Sequence, residues 1–230
     1  MPSIYTHCAL PKCQNITVPF IHNIASAHWS GFRDKVISLG GAYCDDYIVF
    51  VDSDMLMHVD TNERKIHHTA QQMLRVSNIT FGAELGNYEI AEETEYYLNK
   101  WKTESSCLDR NTDWVHCLNT LGKCHSSRMP IFLNSGLIVG RCNDIKALTR
   151  GVLQYHFSKG DQYYYNKEAL KLHNWSLDYC SKMVTNLHQM HPRIIDHTFS
   201  HFYHTNGKSK RANFSNILNA KFISAPTRVF

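Results

Sequence analysis

The sequence predicts an α/β domain in which a mixed, mainly parallel central sheet is flanked by helices. Two continuous apolar runs, at 47–51 and 79–83, are short and rich in β-branched residues, which is typical of strands buried on both faces. Segments with helical apolar spacing alternate with these runs, and such alternation favours a layered α/β architecture. With 230 residues and 43% hydrophobic residues, the chain suits a single domain over 1–230.

The first half of the chain carries clear boundaries. Gly40 and Gly41 end the first predicted helix. Glu84 closes the second strand, and the last helix of this half has an acidic first turn that suits its dipole. The predicted elements are helices at 30–39, 61–76 and 90–101 and strands at 47–51 and 79–83. The apolar face of the second helix is formed by Ile66, Ala70, Met73 and Leu74.

In the second half of the chain, the predicted strands and helices alternate less regularly. The polar, cysteine-bearing segment 102–128 predicts a loop insertion. Residues 131–140 predict a strand, a turn at Asn134-Ser135-Gly136 and a second strand. The remaining predicted elements are a helix capped by Asn143-Asp144 and running to about Phe157, a helix opened by Gly160-Asp161-Gln162, a strand near 193–199 and a polar turn at His204-Thr205-Asn206-Gly207.

Charge and hydropathy exclude two classes of partner. The formal net charge is +4 and the pI about 8.6, which is too mild for the dense basic footprint of a nucleic-acid-binding protein. No run of about 18 apolar residues is present, so the sequence predicts no membrane span. The fifteen histidines are scattered and receive no collective role.

The cysteines bear on the compartment. Eight cysteines without a CxxC pair argue against a zinc ribbon or a thioredoxin motif, and Cys107, Cys117 and Cys124 form a cluster that could hold a disulfide. Glycosylation sequons at Asn15, Asn78, Asn174 and Asn213 favour a glycoprotein of the secretory pathway. The first residues do not form a signal peptide. Two alternatives stay open: the endoplasmic reticulum lumen for a piece of a longer chain, or the cytoplasm for a complete one.

The strongest chemical signal is the Asp-x-Asp motif that follows the strand at 47–51. A buried strand delivers Asp52 and Asp54 to its carboxyl end, where open α/β sheets bind ligands. Two carboxylates one residue apart can direct oxygens at one divalent cation, and Mg²⁺ and Mn²⁺ prefer such ligands. The alternative is an acidic strand end that only caps the next element.

Three further motifs are weaker taken alone. The glycine of Asn134-Ser135-Gly136 lets the backbone approach a ligand, and the alternative, which the motif taken alone favours, is an ordinary hairpin turn. Asp161 stands at a predicted helix start, where simple N-capping is the alternative. His204 offers an imidazole ligand from a loop, and the alternative is a histidine without function.

The order of these motifs resembles the glycosyltransferase domain of procollagen lysyl hydroxylases and, more distantly, the collagen galactosyltransferases. The resemblance covers about Gly31 to Lys210. The segments that carry it are Asp34-Lys35-Val36, Val49-Phe50-Val51-Asp52-Ser53, Phe81-Gly82-Ala83-Glu84, Phe132-Leu133-Asn134-Ser135-Gly136, Asp161-Gln162 and His204-Thr205-Asn206-Gly207-Lys208.

The resemblance implies a GT-A-like nucleotide-sugar-binding domain that moves glucose or galactose from a UDP-sugar to a hydroxyl. The acceptor would be hydroxylysine or galactosyl-hydroxylysine of a collagen-like chain. It implies Mn²⁺ or another divalent cation on Asp52, Asp54 and His204, and catalytic roles for Asn134, Asp161 and Gln162. The residues that it places around the UDP-sugar are Lys35, Asp52, Ser53, Ser135, Gly136, Asn206, Gly207 and Lys208.

The chain also departs from the family pattern. The family spaces its aspartates as Asp-x-x-Asp, and its run of aspartates before the glutamine is reduced here to Asp161 alone. Only 51 residues precede Asp52, which leaves open a missing first strand and an incomplete uridine pocket. The alternatives are therefore a catalytically inactive binding or scaffold module, or another Asp-x-Asp metal enzyme such as a phosphatase or nucleotidyltransferase, for which no Gly-rich phosphate loop is visible.

Overall fold

The structure is a computed structural model of the chain. It describes residues 3–8, 18–25, 30–84, 93–104, 131–186 and 200–204. Several sequence predictions lie outside these ranges: the strand near 193–199, the cysteine cluster, most of the loop predicted at 102–128, and the site residues Asn206, Gly207 and Lys208.

Strands and helices alternate along the described chain. The strands are β1 (Ser3–Thr6), β2 (Ile21–Asn23), β3 (Tyr47–Val51), β4 (Met55–Met57), β5 (Ile79–Glu84), β6 (Phe132–Arg141), β7 (Trp175–Leu177), β8 (Val184–Asn186) and β9 (Phe202–His204). The helices are α1 (Phe32–Gly41), α2 (Glu63–Leu74), α3 (Thr94–Glu104), α4 (Cys142–Val152) and α5 (Asp161–Ala169).

The main sheet is mixed and mainly parallel, as the sequence predicts. Its strand order is β2-β1-β3-β6-β5-β7. Strand β6 runs antiparallel to both β3 and β5, while the pairs β1–β2, β1–β3 and β5–β7 are parallel. The carboxyl ends of β1, β3 and β5 therefore share one edge with the amino end of β6.

The core lies on both faces of this sheet. Strand β3 is buried along its whole length, as its apolar run predicts. Phe50 packs in the cluster that contains apolar residues of α1, α4 and α5, while Val49 and Val51 pack in the cluster with α2. This alternation follows from the two-residue period of a strand, and it explains why a continuous apolar run is needed there.

A small second sheet lies beside the carboxyl edge. Its strand order is β4-β9-β8, with β4 antiparallel and β8 parallel to β9. Its apolar residues, among them Met55, Val184 and Phe202, belong to the same cluster as α2. A disulfide between Cys44 and Cys142 joins the segment before β3 to the first residue of α4.

Several predicted boundaries need correction. Residues 132–141 form one continuous strand, so Asn134-Ser135-Gly136 is not a turn between two strands. The irregularity lies in the pairing, because the register of β5 against β6 shifts between Phe81 and Gly82. Helix α3 continues to Glu104, which places residues 102–104 in a helix rather than in the loop insertion.

The helix predicted after β6 is also different. It begins at Cys142, with Arg141 as the N-cap and no side-chain cap bond, and it ends at Val152 rather than near Phe157. Asn143 and Asp144 therefore lie in its first turn and do not cap it. The prediction for α5 is confirmed, since Gly160 is the N-cap and Asp161 the first helical residue.

Candidate functional site

Two aspartates and a histidine meet at the carboxyl end of β3. Asp52 is the first residue after the strand, and Asp54 follows in the turn to β4. His204 ends β9, whose pairing with β4 sets Met55 opposite it. The imidazole Nε2 lies 3.0 Å from Asp54 Oδ1 and 4.0 Å from Asp52 Oδ2. His204 is thus a strand residue, not a loop residue as the sequence predicts.

The donor set fits a divalent cation. One ligand atom from each of Asp52, Asp54 and His204 can be chosen so that all lie within 4.8 Å of one another. Around a six-coordinate ion with bonds of about 2.1 Å, neighbouring ligand atoms stand about 3 Å apart. The side chains of Asp52 and Asp54 are 24% and 39% exposed, so solvent or substrate oxygens can reach the site. Two carboxylates and one imidazole suit a divalent first-row ion.

The electrostatics of the cluster are those of opposed charges brought together. Burial disfavours the charged imidazole of His204, but the carboxylate of Asp54 outweighs it and raises the pKa of His204. Burial likewise opposes the Asp54 carboxylate, yet His204 lowers the pKa of that group. For Asp52, burial dominates and raises its pKa, although Lys35 opposes this. A bound cation would replace the proton of His204 as the partner of both carboxylates.

The ring of His204 is held in place from two sides. Its Nδ1 is hydrogen-bonded at 2.7 Å to Oδ1 of the fully buried Asn186, whose amide donates at 2.8 Å to the carbonyl of Ala83. On the other side, a Cβ added to Gly136 would stand 2.8 Å from His204 Cε1. Only glycine leaves room there, so Gly136 serves the packing of the imidazole.

Lys35 lies at the centre of a second, connected group. Its Nζ stands 2.6 Å from Asp52 Oδ1 and 2.8 Å from Asp161 Oδ2, and donates to the carbonyl of Ser135 at 3.4 Å. The side chain of Lys35 is only 6% exposed. Burial opposes its charge, but Asp161 and then Asp52 raise the pKa of the ammonium group. Lys35 is therefore charged, and it ties α1 to β3 and α5.

The contacts of the Asp161 carboxylate lie within this group of residues. Its Oδ2 accepts a hydrogen bond from the Ser135 hydroxyl at 3.0 Å in addition to the Lys35 contact. A carboxylate oxygen that pairs with an ammonium and accepts a hydrogen bond from a hydroxyl is a poorer nucleophile than an unpaired one. The role of double-displacement nucleophile, for which the sequence offers Asp161, thus has a physical argument against it.

Asn134 and Gln162 are joined through Glu84. Asn134 Nδ2 donates to Glu84 Oε2 at 2.9 Å and to Gln162 Oε1 at 3.2 Å, and Gln162 Nε2 donates to Glu84 Oε1. Asn134 Oδ1 in turn accepts from the backbone N–H of Gly136 at 2.9 Å. Glu84 is 1% exposed, so a buried carboxylate holds both side-chain amides in place.

The structure brings most of the predicted site residues to one edge of the sheet. The metal-ligand candidates, Lys35, Ser135 and Asp161 form one connected group, and Asn134 and Gln162 form the adjoining one. Ser53 lies in the turn between Asp52 and Asp54. Asn206, Gly207 and Lys208 lie outside the described residues.

Three further residues of this edge have no role in the sequence analysis. Glu84 ends a predicted strand, but nothing in the sequence shows that it receives two amides. Asn186 lies in the short strand β8, which has no periodic signal. His7 directly follows β1 and is buried, and burial together with the charge of Lys35 lowers the pKa of its imidazole. All of them follow or end a strand, which is the signal that could have found them.

The fold and site together define a class: a mixed α/β domain, compatible with a Rossmann-like fold. It carries a cluster of side chains that could hold a metal ion at the carboxyl edge of its sheet. No protein-family model and no curated protein sequence matches the chain significantly. Among the described residues, no helix combines the length and the apolar character that a membrane crossing requires.

Proposed function

We propose that the protein is a divalent-metal-dependent glycosyltransferase that moves a hexose from a UDP-sugar to a hydroxyl acceptor. The observation that carries the proposal is the convergence of Asp52, Asp54 and His204 from two sheets onto a volume that suits one ion. The motif order supports the nucleotide-sugar donor, and it supports a collagen-like chain with hydroxylysine or galactosyl-hydroxylysine as the acceptor class.

In this proposal, one group of residues stabilises the leaving diphosphate and another holds the sugar. A cation such as Mn²⁺, held by Asp52, Asp54 and His204, would neutralise the charge that grows on the departing diphosphate. Lys35 contacts Asp52 from the opposite side at 2.6 Å, where it holds the carboxylate in place and opposes the effect of burial on the pKa of Asp52. Because Lys35 is buried and charged, it adds positive potential to this edge of the sheet without a change of conformation.

The amide network is suited to holding the sugar. Asn134 is buried and gives both amide hydrogens to Glu84 and Gln162, so it holds the network in place. Gln162 is half-buried and fixed by Glu84, so it is the amide of this pair that can face a sugar hydroxyl. Asp161 and Ser135 position Lys35 and close the group on the α5 side. In this proposal Asp161 is a positioning residue, and the acceptor hydroxyl is placed against the anomeric carbon by the same rigid edge.

A second candidate is a non-catalytic module with the same fold that binds a nucleotide sugar or a glycan. The observation that favours it is the commitment of Asp161 Oδ2 to Lys35 and Ser135. The chain carries no run of aspartates beside Asp161 that would supply a free carboxylate.

The test is release of UDP from UDP-glucose and UDP-galactose, with and without Mn²⁺, and with a galactosyl-hydroxylysine peptide or a hydroxylysine peptide as acceptor. The enzyme proposal expects Mn²⁺-stimulated release, abolished by Asp52→Asn with the melting temperature maintained. The matched control is Asp46→Asn, because that exposed carboxylate contacts Arg141 far along β3 from the site. It should leave UDP release unchanged.

The two candidates separate on binding. A rise in melting temperature with UDP and Mn²⁺, without turnover of either sugar nucleotide, supports the non-catalytic module. The absence of both turnover and a thermal shift contradicts the nucleotide-sugar proposal altogether. Full activity in Asp52→Asn would contradict the assignment of Asp52 as a metal ligand.

A further inference from the structure

A basic cleft lies at the amino end of α2, and its lining includes neither aspartate of the acidic turn (residues 52–54) nor His204. It has a volume of about 660 Å³ and is lined by three formally charged side chains, Arg64, Lys65 and Lys182. This volume lies within the range of about 300–1,000 Å³ that is typical of small-molecule sites. The cations come from two separate elements, α2 and the segment that leads into β8. No carboxylate is among its lining residues.

The acidic residues nearest in sequence are turned to other partners. Asp60 Oδ2 faces His58 Nδ1 at 3.7 Å, and Glu63 Oε1 faces His67 Nε2 at 3.7 Å. Lys65 Nζ is held at 2.6 Å by the backbone carbonyl of Asp60, which carries no formal charge. Within the described residues, the positive charge of the α2 side of the cleft is therefore not neutralised by an ion pair.

On the opposite wall, the carboxylate that acts on Lys182 is buried. Asp178 is 4% exposed and accepts backbone N–H bonds from residues 182, 183 and 184 at 2.8–3.0 Å. Those bonds occupy Asp178 inside the loop, while the Lys182 side chain is exposed and lines the cleft. Within the part of the chain that the structure describes, no ion pair holds the Lys182 ammonium, so it is available to a ligand.

The floor of the cleft is neutral and rich in hydrogen-bonding groups. His201 is buried, with Nδ1 at 3.2 Å from Thr61 Oγ1 and Nε2 at 2.9 Å from Thr69 Oγ1. Burial, and then the charges of Lys65 and His58, lower the pKa of His201 to about 4. The imidazole of His201 is therefore neutral near pH 7, chiefly because it is buried, and the charge of Lys65 acts in the same direction.

We propose that this cleft binds a small polyanion that carries phosphate or sulfate groups. Such groups offer several charged oxygens, which match the fork of Arg64 and the two separate ammonium groups of Lys65 and Lys182. A single carboxylate would leave part of that charge unpaired. The inference does not rest on the proposed glycosyltransferase activity, because none of these residues belongs to the acidic turn.

The test is isothermal titration calorimetry of the metal-free full chain with two probes, pyrophosphate and a fully sulfated disaccharide. Each probe reports one source of the same chemistry, phosphate or sulfated sugar. The double substitution Arg64→Gln with Lys182→Gln removes two charge-assisted contacts, and we expect binding to weaken at least about tenfold. The matched control, Arg150→Gln with Lys146→Gln, removes the same charges from the exposed face of α4 and should bind like the wild type.

Asp52→Asn separates this site from the acidic turn and should bind the probes as the wild type does. Binding that is lost in Asp52→Asn but kept in the cleft variant would place the anion at the acidic turn and overturn the proposal. Equal weakening in the α4 control pair, or no heat with either probe at low salt, overturns it as well. Circular dichroism of the variants verifies the fold, and a loss of wild-type binding in high salt supports the charge-based contact independently of any substitution.

Discussion

Asn186 orients the His204 imidazole through one hydrogen bond, and metal affinity depends on such partners of a ligand. In Asn186→Leu the side-chain volume is similar, but the bond to Nδ1 and the bond to the Ala83 carbonyl are lost. We expect the Mn²⁺ affinity to fall about 10–100-fold, the range usual for partners of metal-ligating histidines. Calorimetric titration of the metal-free protein with Mn²⁺ measures it.

The control for that experiment is Asn99→Leu, at an exposed position of α3. It should leave Mn²⁺ affinity unchanged. A folded Asn186→Leu protein with wild-type affinity would mean that His204 is not a ligand, or that its ring needs no support from Asn186.

The metal affinity also depends on how closely strand β6 packs against β9 at Gly136. Strand β6 passes so close to β9 that a Cβ at Gly136 would stand 2.8 Å from both Asn134 Oδ1 and His204 Cε1. In Gly136→Ala either the imidazole or the Asn134 amide must move. We expect Mn²⁺ affinity to fall at least about tenfold, equivalent to about 1.4 kcal/mol of binding free energy.

Gly41→Ala is the matched control, because a Cβ there would meet nothing within 4 Å. Its Mn²⁺ affinity and melting temperature should stay close to those of the wild type. If Gly136→Ala binds Mn²⁺ as tightly as Gly41→Ala, the imidazole has room to adjust and the packing argument is wrong.

The elements that the sequence predicts well are those in which burial alone determines the pattern. Strands β3 and β5 are fully buried, so a continuous apolar run identifies them. Helix α2 buries the predicted apolar face, with Ile66 and Ala70 inaccessible to solvent. The same pattern indicates the Asp-x-Asp motif, since the motif directly follows a buried strand.

The elements that the sequence misreads are those shaped by the site. Asn134-Ser135-Gly136 has the composition of a turn, yet it continues β6 because its polar side chains meet buried partners, Glu84 and Asp161. His204 belongs to a strand of three residues, too short to show alternation. No local pattern could indicate that β9 would pair with β4 and set His204 beside Asp54.

At the scale of the whole molecule, His201 makes folding stability sensitive to acid. Its pKa is lowered to about 4 in the folded protein, whereas an unfolded histidine titrates near its ordinary value. Between these values the unfolded chain binds the proton more readily, so stability falls as the pH falls. From pH 7 to pH 5 this single group should lower the free energy of unfolding by about 2 kcal/mol.

Urea unfolding of the wild type and His201→Gln at both pH values measures this contribution. The substitution should reduce the difference between the two pH values by that amount, whatever it does to stability at pH 7. The exposed His68→Gln protein should keep the wild-type difference. An unchanged difference in His201→Gln would show that His201 is accessible to protons in the folded state.

The position of β6 also constrains how the chain assembles. Strands β3 and β5 are separated in the sheet only by β6. Along the chain, 47 residues lie between Glu84, which ends β5, and Phe132, which begins β6. Until β6 has been synthesised, each of its neighbours keeps an open edge that can pair wrongly. Before β6 is made, β3 can pair with β1, whereas β5 has no partner, because β7 also follows β6 along the chain. The main sheet therefore closes late, and the metal-type site is completed later still, when β9 brings His204 beside Asp54.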